Sequence, residues 1–516
     1  MRSLSILLSN VLRLVILTTV LLFSTMPVLA DMTVDTAWVR RYNGPGDSDD
    51  RAYAIVVDDF GNVYVTGWSY LGSGTNLDYA TVKYYENGDT AWVRRYNGVG
   101  DGDDAAFAMA LDASGNVYVT GLSGGYCTIK YCPNGDTGWV RIYHRPGEQT
   151  ERAQAIAVDG CGNVYVTGCS YYGSVSNIDF CTVKYYANGD TAWVRIFSGP
   201  GYQFDEARAL AVDDSSNIYV TGYATDMEGS RCTTIKYYPN GDTAWVRRYG
   251  YGSANAIALD HSGNVYVTGQ CGLDYTTVKY NPDGDTAWVR SYDGTGNNND
   301  EAHAIAVDDS GNVYVTGYSF RGWTPGANYD YATIKYNPNG DTAWVRRYNG
   351  PGNSWDEAQS IALDGSGSVY VTGFCDGGYN SPGDYATIKY HPTGDTAWVK
   401  IYNGPGNSDD RACAIVVDGY GSVYVTGHSF QMSGSPYNSD YAAIKYVQFL
   451  CGDINQDGIL DIGDVVRLIN YLYKSGPPPI PIVCAGDCNC DGIVDLGDAI
   501  YLLNYLFKNG PPPCEP

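Results

Sequence analysis

Twelve residues near the end of the chain carry the clearest chemistry. Asp453, Asn455, Asp457, Ile459, Asp461 and Asp464 fall at positions 1, 3, 5, 7, 9 and 12 of one stretch, with Gly458 at position 6. A hard divalent cation such as calcium asks for this pattern. It needs carboxylate and amide oxygens at alternating positions, a glycine for the sharp turn, and a backbone carbonyl lent by position 7. Asp487, Asn489, Asp491, Ile493, Asp495 and Asp498 repeat the set around Gly492. Two calcium ions, one per loop, are expected. The carboxylates and amides crowded into each loop repel or stay solvated without the metal, so calcium would contribute to the folding of this unit.

Each loop runs into apolar residues at helical spacing: Val465, Leu468, Ile469 and Leu472, then Ala499, Leu502, Leu503 and Leu506. Each helix is expected to stop at Gly-Pro-Pro-Pro, at 476–479 and 510–513. The duplicated loop and helix, with Asp at position 12 and no preceding helix, closely resembles a type I dockerin over about residues 451–516. That resemblance implies calcium at the residues just named. It also implies docking onto a cohesin-type or cell-surface partner, typically within secreted polysaccharide-degrading assemblies. Loop positions 10 and 11, where familiar dockerins read their partner, hold Ile462-Gly463 and Leu496-Gly497, a departure from the pattern. The spacer 475–485 is proline-rich, and Cys451, Cys484, Cys488, Cys490 and Cys514 are candidate crosslinks.

Elsewhere no catalytic constellation stands out. Gly121-Leu122-Ser123-Gly124-Gly125 matches a nucleophile elbow in letters but sits between two strand-like runs rather than before a helix. His144, His261, His303, His391 and His428 lack metal-ligand spacing. An acidic pair recurs at Asp49-Asp50, Asp103-Asp104, Asp205-Glu206, Asp300-Glu301, Asp356-Glu357 and Asp409-Asp410. Such pairs could ring a channel mouth and hold cations or hydroxylated ligands. The plainer reading, solvated strand starts paired with neighbours such as Arg51 or Arg411, is preferred. The recurring lysines (Lys83 to Lys445) and arginines (Arg40, Arg94, Arg247, Arg346) are read as balancing nearby carboxylates.

What positions these groups is a repeat. Trp38, Trp92, Trp139, Trp193, Trp245, Trp288, Trp344 and Trp398 sit in one short phrase, 43 to 56 residues apart. Gly-Asn-Val-Tyr-Val-Thr-Gly at 61–67 and Thr-Val-Lys-Tyr at 81–84 return in step with it. In the first unit four strands are expected, over 52–58, 62–66, 79–84 and 90–96. Valine, isoleucine, threonine and tyrosine dominate them, and turn residues separate them. Four-stranded units at this period point to an all-β fold, a β-propeller. Alternating alanines (Ala153, Ala155, Ala157) suit innermost strands, where blades converge, and the tryptophans suit outermost strands, where the wedge needs a large filler. The chain opens with an outer strand and closes on a unit that lacks one. Eight blades, the last completed by the N-terminal strand, follow from that count, with seven as the alternative. The phrases resemble the bacterial β-propeller repeat known as SBBP over about residues 35–446. That family is usually described as seven-bladed and implies no activity or site residues.

Around the ring, the connections 68–78, 171–179, 318–330, 374–384 and 428–440 are long and rich in Tyr, Gly, Ser and Asn. They share one face, where a carbohydrate or a protein partner is expected. The domain reading is 1–30 signal peptide, 31–449 propeller and 450–516 dockerin-like unit. Arg2 and Arg13 flank an apolar start that ends in Val28-Leu29-Ala30, the pattern of a secretory leader, so a secreted bacterial protein without a membrane span is expected. The charge of −25 argues against nucleic acid. Nine cysteines scatter through the repeats, where Cys169 and Cys181 pairing across a hairpin is one option and buried free thiols the other. The reading adopted is a non-catalytic secreted scaffold whose propeller face binds and whose tail docks in calcium. The alternative is a glycoside hydrolase acting on polysaccharide, delivered by its dockerin.

Overall fold

The computed structural model describes residues 33–71, 77–99, 102–145, 151–172, 174–201, 204–295, 298–322, 328–378, 382–431, 438–449, 451–454, 460–474, 476, 485–491, 493–508, 510, 511 and 513. The leader expected at 1–30 lies outside them. One compact unit spans Val34–Val447, and Gln448–Pro516 fall in a second.

The first unit is a ring of eight four-stranded antiparallel sheets. Blade 1 runs Asp50–Val57, Val63–Tyr70, Leu77–Tyr84 and Thr90–Tyr96, from inner to outer strand. Blade 8 takes Asp410–Val417, Val423–Phe430 and Ser439–Phe449 from the C-terminal side and Thr33–Tyr42 from the N-terminal side. Eight blades, closed by the first strand, is therefore the architecture. The second strand is longer than 62–66 because Gly67 lets it continue. A Cβ there would lie 1.9 Å from the Arg51 carbonyl oxygen, beside the bulge that each inner strand carries.

Consecutive buried positions in Val63–Thr66 show that both sheet faces are covered by neighbouring blades. That explains runs of apolar residues where one-sided sheets would alternate. The inner turn is held by one carboxylate. Asp58 Oδ1 accepts the Phe60 and Asn62 amides, and its Oδ2 accepts the hydroxyl of buried Tyr64 at 3.1 Å. The same arrangement recurs at Asp112, Asp159, Asp213, Asp260, Asp364 and Asp418, so these motifs are turn chemistry.

Blade is fastened to blade by the outer-strand phrase. Trp92 Nε1 donates to the Pro133 carbonyl, and Arg94 Nε donates to the Gly135 carbonyl at 2.6 Å, both in the outer turn of blade 2. The guanidinium lies over the indole at 5.6 Å. Gly135 is required: its φ is +86°, and a Cβ would meet the Trp92 ring at 2.9 Å. Arginine makes this bond at seven junctions. The eighth is the closure of the ring, where the last strand of blade 8 comes from the other end of the chain and offers no such turn. There Lys400 replaces the arginine. The recurring lysines likewise reach carbonyls of the next blade, Lys83 that of Pro133, with the ammonium 4.8 Å from the Tyr64 ring centroid. Lys445 meets the Glu86 carboxylate, as expected, whereas Lys83, Lys184, Lys236, Lys279 and Lys335 and the outer-strand arginines meet carbonyls of the next blade, which corrects that expectation for them. The arginine–aspartate pairs at the junctions stand at 3.7–4.0 Å, with exposed acids.

At the opposite rim four strands are bridged by side chains. In blade 1, Arg95 donates to Ser69 Oγ and, at 2.8 Å, to Asp78, while Ser69 reaches buried Asp50. Blades 6 and 8 repeat this with Arg347 and Arg41. In blade 7 the arginine position is Ile401 and the serine position Cys375. Desolvation by burial pushes Asp356 up to about 7 and Asp384 up to about 6. An acid whose folded pKa lies above its unfolded value holds extra protons when folded, so stability falls as pH rises from about 4 to about 7. Ile401→Arg is expected to supply the missing cation. Its gain in thermal midpoint should be larger at pH 8 than at pH 5, by roughly 1–2 °C, as read by calorimetry across pH.

Blades 4 and 5 break the bridge elsewhere: Ala224 stands at the serine position of one, and Gly252 and Ser291 at the acid and arginine positions of the other. A disulfide, Cys232–Cys271, joins those two blades. Cys169 and Cys181 are both free and buried. They pair with Phe180 and Gly168 respectively, one step apart, so their side chains leave opposite faces of the sheet.

In the second unit, helices α1 (Ile462–Lys474) and α2 (Leu496–Lys508) pack through Val465, Leu468, Ala499 and Leu502, with Ile454 and Cys488 between them. No helix among the described residues is long and apolar enough to cross a membrane.

Candidate functional site

The two faces of the ring are built differently. Inner and outer turns, tied by aspartates and by the tryptophan–arginine phrase, occupy one face. The lead-in to each inner strand and the long connection between second and third strands open on the other.

On that second face the acidic pairs separate into two roles. Asp50, Asp104, Asp205, Asp300, Asp356 and Asp410 are buried at the first position of inner strands. Asp50 accepts the Gly44 amide at 2.5 Å and the Tyr70 amide at 3.1 Å, tying the lead-in to the end of the second strand. Asp356 does the same with Gly350 and Asp376. These carboxylates therefore neither ring the channel nor sit as solvated strand starts. An extended, buried strand start leaves backbone amides without ladder partners, and the carboxylate supplies them.

The next residue of each strand is Arg51, Ala105, Arg152, Glu206, Ser253, Glu301, Glu357 and Arg411 in blades 1 to 8, so acids collect in blades 4, 6 and 7 and arginines in 8, 1 and 3. Those of blades 3, 4, 6 and 7 open on the channel mouth. Inner strands of blades 3 to 7 line a cavity of about 530 Å³ at this mouth. Its wall is polar throughout. Glu206 accepts from Arg152 at 3.1 Å and Gln154 at 3.0 Å. Asn255 accepts from Arg208 and donates to Glu301 at 2.9 Å, whose other oxygen accepts the Tyr318 hydroxyl at 2.8 Å. Glu357 accepts from Gln359 at 2.7 Å and from the Trp355 indole at 3.2 Å. His303 stands between the two glutamates, Nε2 4.0 Å from Glu301 and Nδ1 3.6 Å from Glu357. Its Nδ1 lies 3.1 Å from the Ala358 carbonyl, an acceptor only, so that nitrogen carries the proton.

Aromatic rings flank this cavity on blades 6 and 7. Tyr318 packs edge-on against His303 at 5.4 Å and Tyr329 at 5.2 Å, and Tyr329 lies 4.8 Å from Trp355. Trp355 keeps 43% of its surface exposed. On the arginine side, Arg411 stacks on Phe374 at 4.4 Å, and His428 is buried beneath, desolvation and the Arg51 and Arg411 charges lowering its pKa to about 3. The remaining histidines take no part: His144 stands 3.8 Å from Glu151, and His261 is exposed 3.9 Å from Asp309. Gly121–Gly125 is a hairpin between two strands. Sequence reasoning missed the Glu301–His303–Glu357 grouping, because 54 residues separate the blades that assemble it. The signal was present as the variable position after each recurring acid.

The C-terminal loops offer the other candidate site. Asn455, Asp457 and Ile459 lie outside the described residues. Asp453 and Asp464 are buried, and Asp464 accepts the Ile454 amide at 2.8 Å and the Asp461 amide at 2.9 Å. In the second loop Asp487 accepts the Asp491 amide at 3.1 Å, Asn489 that same amide at 2.9 Å, and Asp491 the Ile493 amide at 2.9 Å. Asp498, buried, accepts the Asn489 and Asp495 amides. Positions 1, 3, 5, 9 and 12 are thus drawn around one turn, and burial raises the Asp498 pKa. Acidic oxygens gathered in this order, buried at positions 1 and 12 and open to solvent at 5 and 9 of the second loop, fit a calcium ion. Asp453, Asp461, Asp464, Asp487, Asn489, Asp491, Asp495 and Asp498, with the Ile493 carbonyl, would hold it. Cys490 is disulfide-bonded.

Among solved structures, the ring is similar to the Dos1 propeller, with TM-score 0.51 and 6% identity over 79% of this chain and 95% of that one. It is also similar to Sqt1 of Chaetomium thermophilum bound to the N-terminus of the ribosomal protein L10, with TM-score 0.52 and 11% identity over 76% and 98% of the two chains. At such identities the likeness is one of fold. No curated protein matches the chain significantly. The family model for the beta-propeller repeat SBBP matches residues 37–70, 192–226 and 292–319. The first two matches run from an outer-strand tryptophan, Trp38 or Trp193, through the lead-in and two inner strands of the next blade. Those segments are SBBP beta-propeller repeats, set in an eight-bladed ring.

Proposed function

We propose that the protein is a non-catalytic extracellular binding scaffold. The loop face of its propeller takes a ligand or partner, and its C-terminal loops bind two calcium ions and dock onto a cohesin-type or cell-surface protein. The observation that carries this reading is the division of labour between the faces. One face is consumed by the turns that hold the ring together, while the other presents an open polar cavity with an exposed indole at its edge. That a ring of the same fold, Sqt1, is bound to a peptide terminus supports its use as a platform. The leader-like start of the chain supports an extracellular setting, in which millimolar calcium keeps weak sites filled.

A glycoside hydrolase is the second reading, favoured by Glu301 and Glu357 facing one cavity on either side of His303. Both glutamates are built as acceptors, each taking hydrogen bonds from two neighbours, whereas a general acid must present a proton. Binding is therefore preferred to turnover.

The test uses the full chain as bait against secreted and surface proteins of its source, in calcium and in chelator. A partner retained only in calcium, with no reducing sugar released from a polysaccharide panel, is the expected result. Absence of any calcium-dependent partner would sink the docking reading, and hydrolysis abolished by Glu357→Gln would replace it with the enzyme.

A further inference from the structure

We infer that the channel mouth at blades 6 and 7 is a carbohydrate subsite for a neutral, polyhydroxylated ring, with Trp355 as its stacking plate and Glu301, His303, Glu357 and Gln359 as its hydrogen-bonding wall. The inference rests on the reading of the loop face as a binding face and names what that face takes.

Three observations select this ligand class. First, the wall offers acceptors and donors in alternation around the cavity and no aliphatic side chain. A ligand that satisfies such a wall must itself carry donors and acceptors at short intervals over its whole rim, as hydroxyls on a ring do. A hydroxyl both donates and accepts, so it can bridge a carboxylate of one blade to an amide of the next. Second, each carboxylate of the wall is already held by neutral or cationic protein donors: Glu206 by Arg152 and Gln154, Glu301 by Asn255 and Tyr318, and Glu357 by Gln359 and Trp355. Carboxylates held in this way present their remaining lone pairs singly, as acceptors for hydroxyls, rather than together around one cation. Third, a flat, exposed indole is attached directly to the wall through its own N–H, which Glu357 accepts. Its orientation is fixed by that bond and by packing on Tyr329, which pairs with Trp355 as a parallel bridge. A half-exposed aromatic plate beside polar groups suits the C–H face of a sugar ring, whose hydroxyls then point sideways into the wall. The volume, about 530 Å³, lies within the range of small-ligand sites.

A basic peptide is the competing occupant, since it too would be drawn to Glu301 and Glu357. It is disfavoured because Arg152 and Arg208 stand on the same wall and repel a cationic side chain.

Calorimetric titration of the full chain with neutral hexasaccharides of glucose, xylose, mannose and galactose, and with a lysine-rich hexapeptide, tests the inference. At least one hexasaccharide should bind. Trp355→Ala should weaken it about tenfold or more, Trp355→Phe less, and Glu357→Gln measurably, with unchanged unfolding temperatures. Tyr420→Ala, on the turn face and 86% exposed, should leave binding as it was. No binding of any hexasaccharide, or binding indifferent to Trp355→Ala and Glu357→Gln, overturns the subsite. So does peptide binding that Trp355→Ala and Glu357→Gln abolish in the absence of sugar binding. In that last case the face still binds, and only its ligand class has been misread.

Discussion

Replacing Asp464 and Asp498 together by alanine is expected to abolish calcium binding and unfold the C-terminal unit while leaving the propeller intact. Each carboxylate closes its loop as position 12, is fully buried, and accepts two backbone amides. Losing a buried, charge-assisted acceptor costs about 1.5–3 kcal/mol per hydrogen bond, so two loops lose more than a small unit of two helices can spare. Calcium at a hundred times its dissociation constant adds about 2.7 kcal/mol per site to the folded form, and that contribution disappears as well. Calorimetry should record two ions for the parent chain and none for the double variant. Hydrogen exchange should show α1 and α2 exchanging freely in the variant, as in the parent chain under chelator. Protection of α1 and α2 that is indifferent to both changes would mean that their apolar interface suffices, and that the acids are only a turn.

The second large effect is expected at a blade junction. Trp139→Ala removes an indole that fills the wedge between blades 2 and 3, ringed by Tyr118 and Tyr185 at 5.9 Å each. Truncation of a buried tryptophan costs about 3–5 kcal/mol. The change also strands the Ala187 carbonyl and removes the surface on which Arg141 lies. Denaturant unfolding should lose that much stability, and hydrogen exchange should rise first in the outer turn of blade 3. Arg141→Ala alone, which leaves the indole in place, should cost about 1–2 kcal/mol, the worth of its bond to Gly189. A Trp139→Ala effect no larger than that would mean that the blades are held by their inner strands, not by the outer phrase.

Most of the architecture was legible in the residues. Period, strand composition and the unpaired opening and closing strands dictate eight blades and their closure, because a repeat that cannot bury both faces alone must stack, and a ring with free edges would pair with other chains. The roles of small and large residues were legible too, since wedge geometry admits alanine near the axis and demands tryptophan at the rim. The acidic loops proposed to hold calcium were legible as candidates for a local reason: their oxygens lie within twelve residues, and spacing along the chain is then spacing in space.

Tertiary structure alone decided what the recurring charged residues do. The acid that opens every inner strand but that of blade 5 is buried and ties backbone amides, and the residues after Glu151, Asp205, Asp300 and Asp356 line the channel mouth. That assignment depends on which side of a strand looks into the ring. A one-residue step reverses it, and a bulge shifts it again. The arginines and lysines meet carbonyls of the following blade, about fifty residues away, so no local pattern announces their partners. Likewise Glu301, His303, Glu357 and Trp355 come from neighbouring blades and become one site only because inner strands converge on a common axis. Cys232 and Cys271 meet for the same reason, across a junction rather than across a hairpin. The amino-acid sequence thus determined the ring and the two acidic loops, whose geometry is periodic or local. The folded ring determined the channel mouth, whose members are brought together by closure.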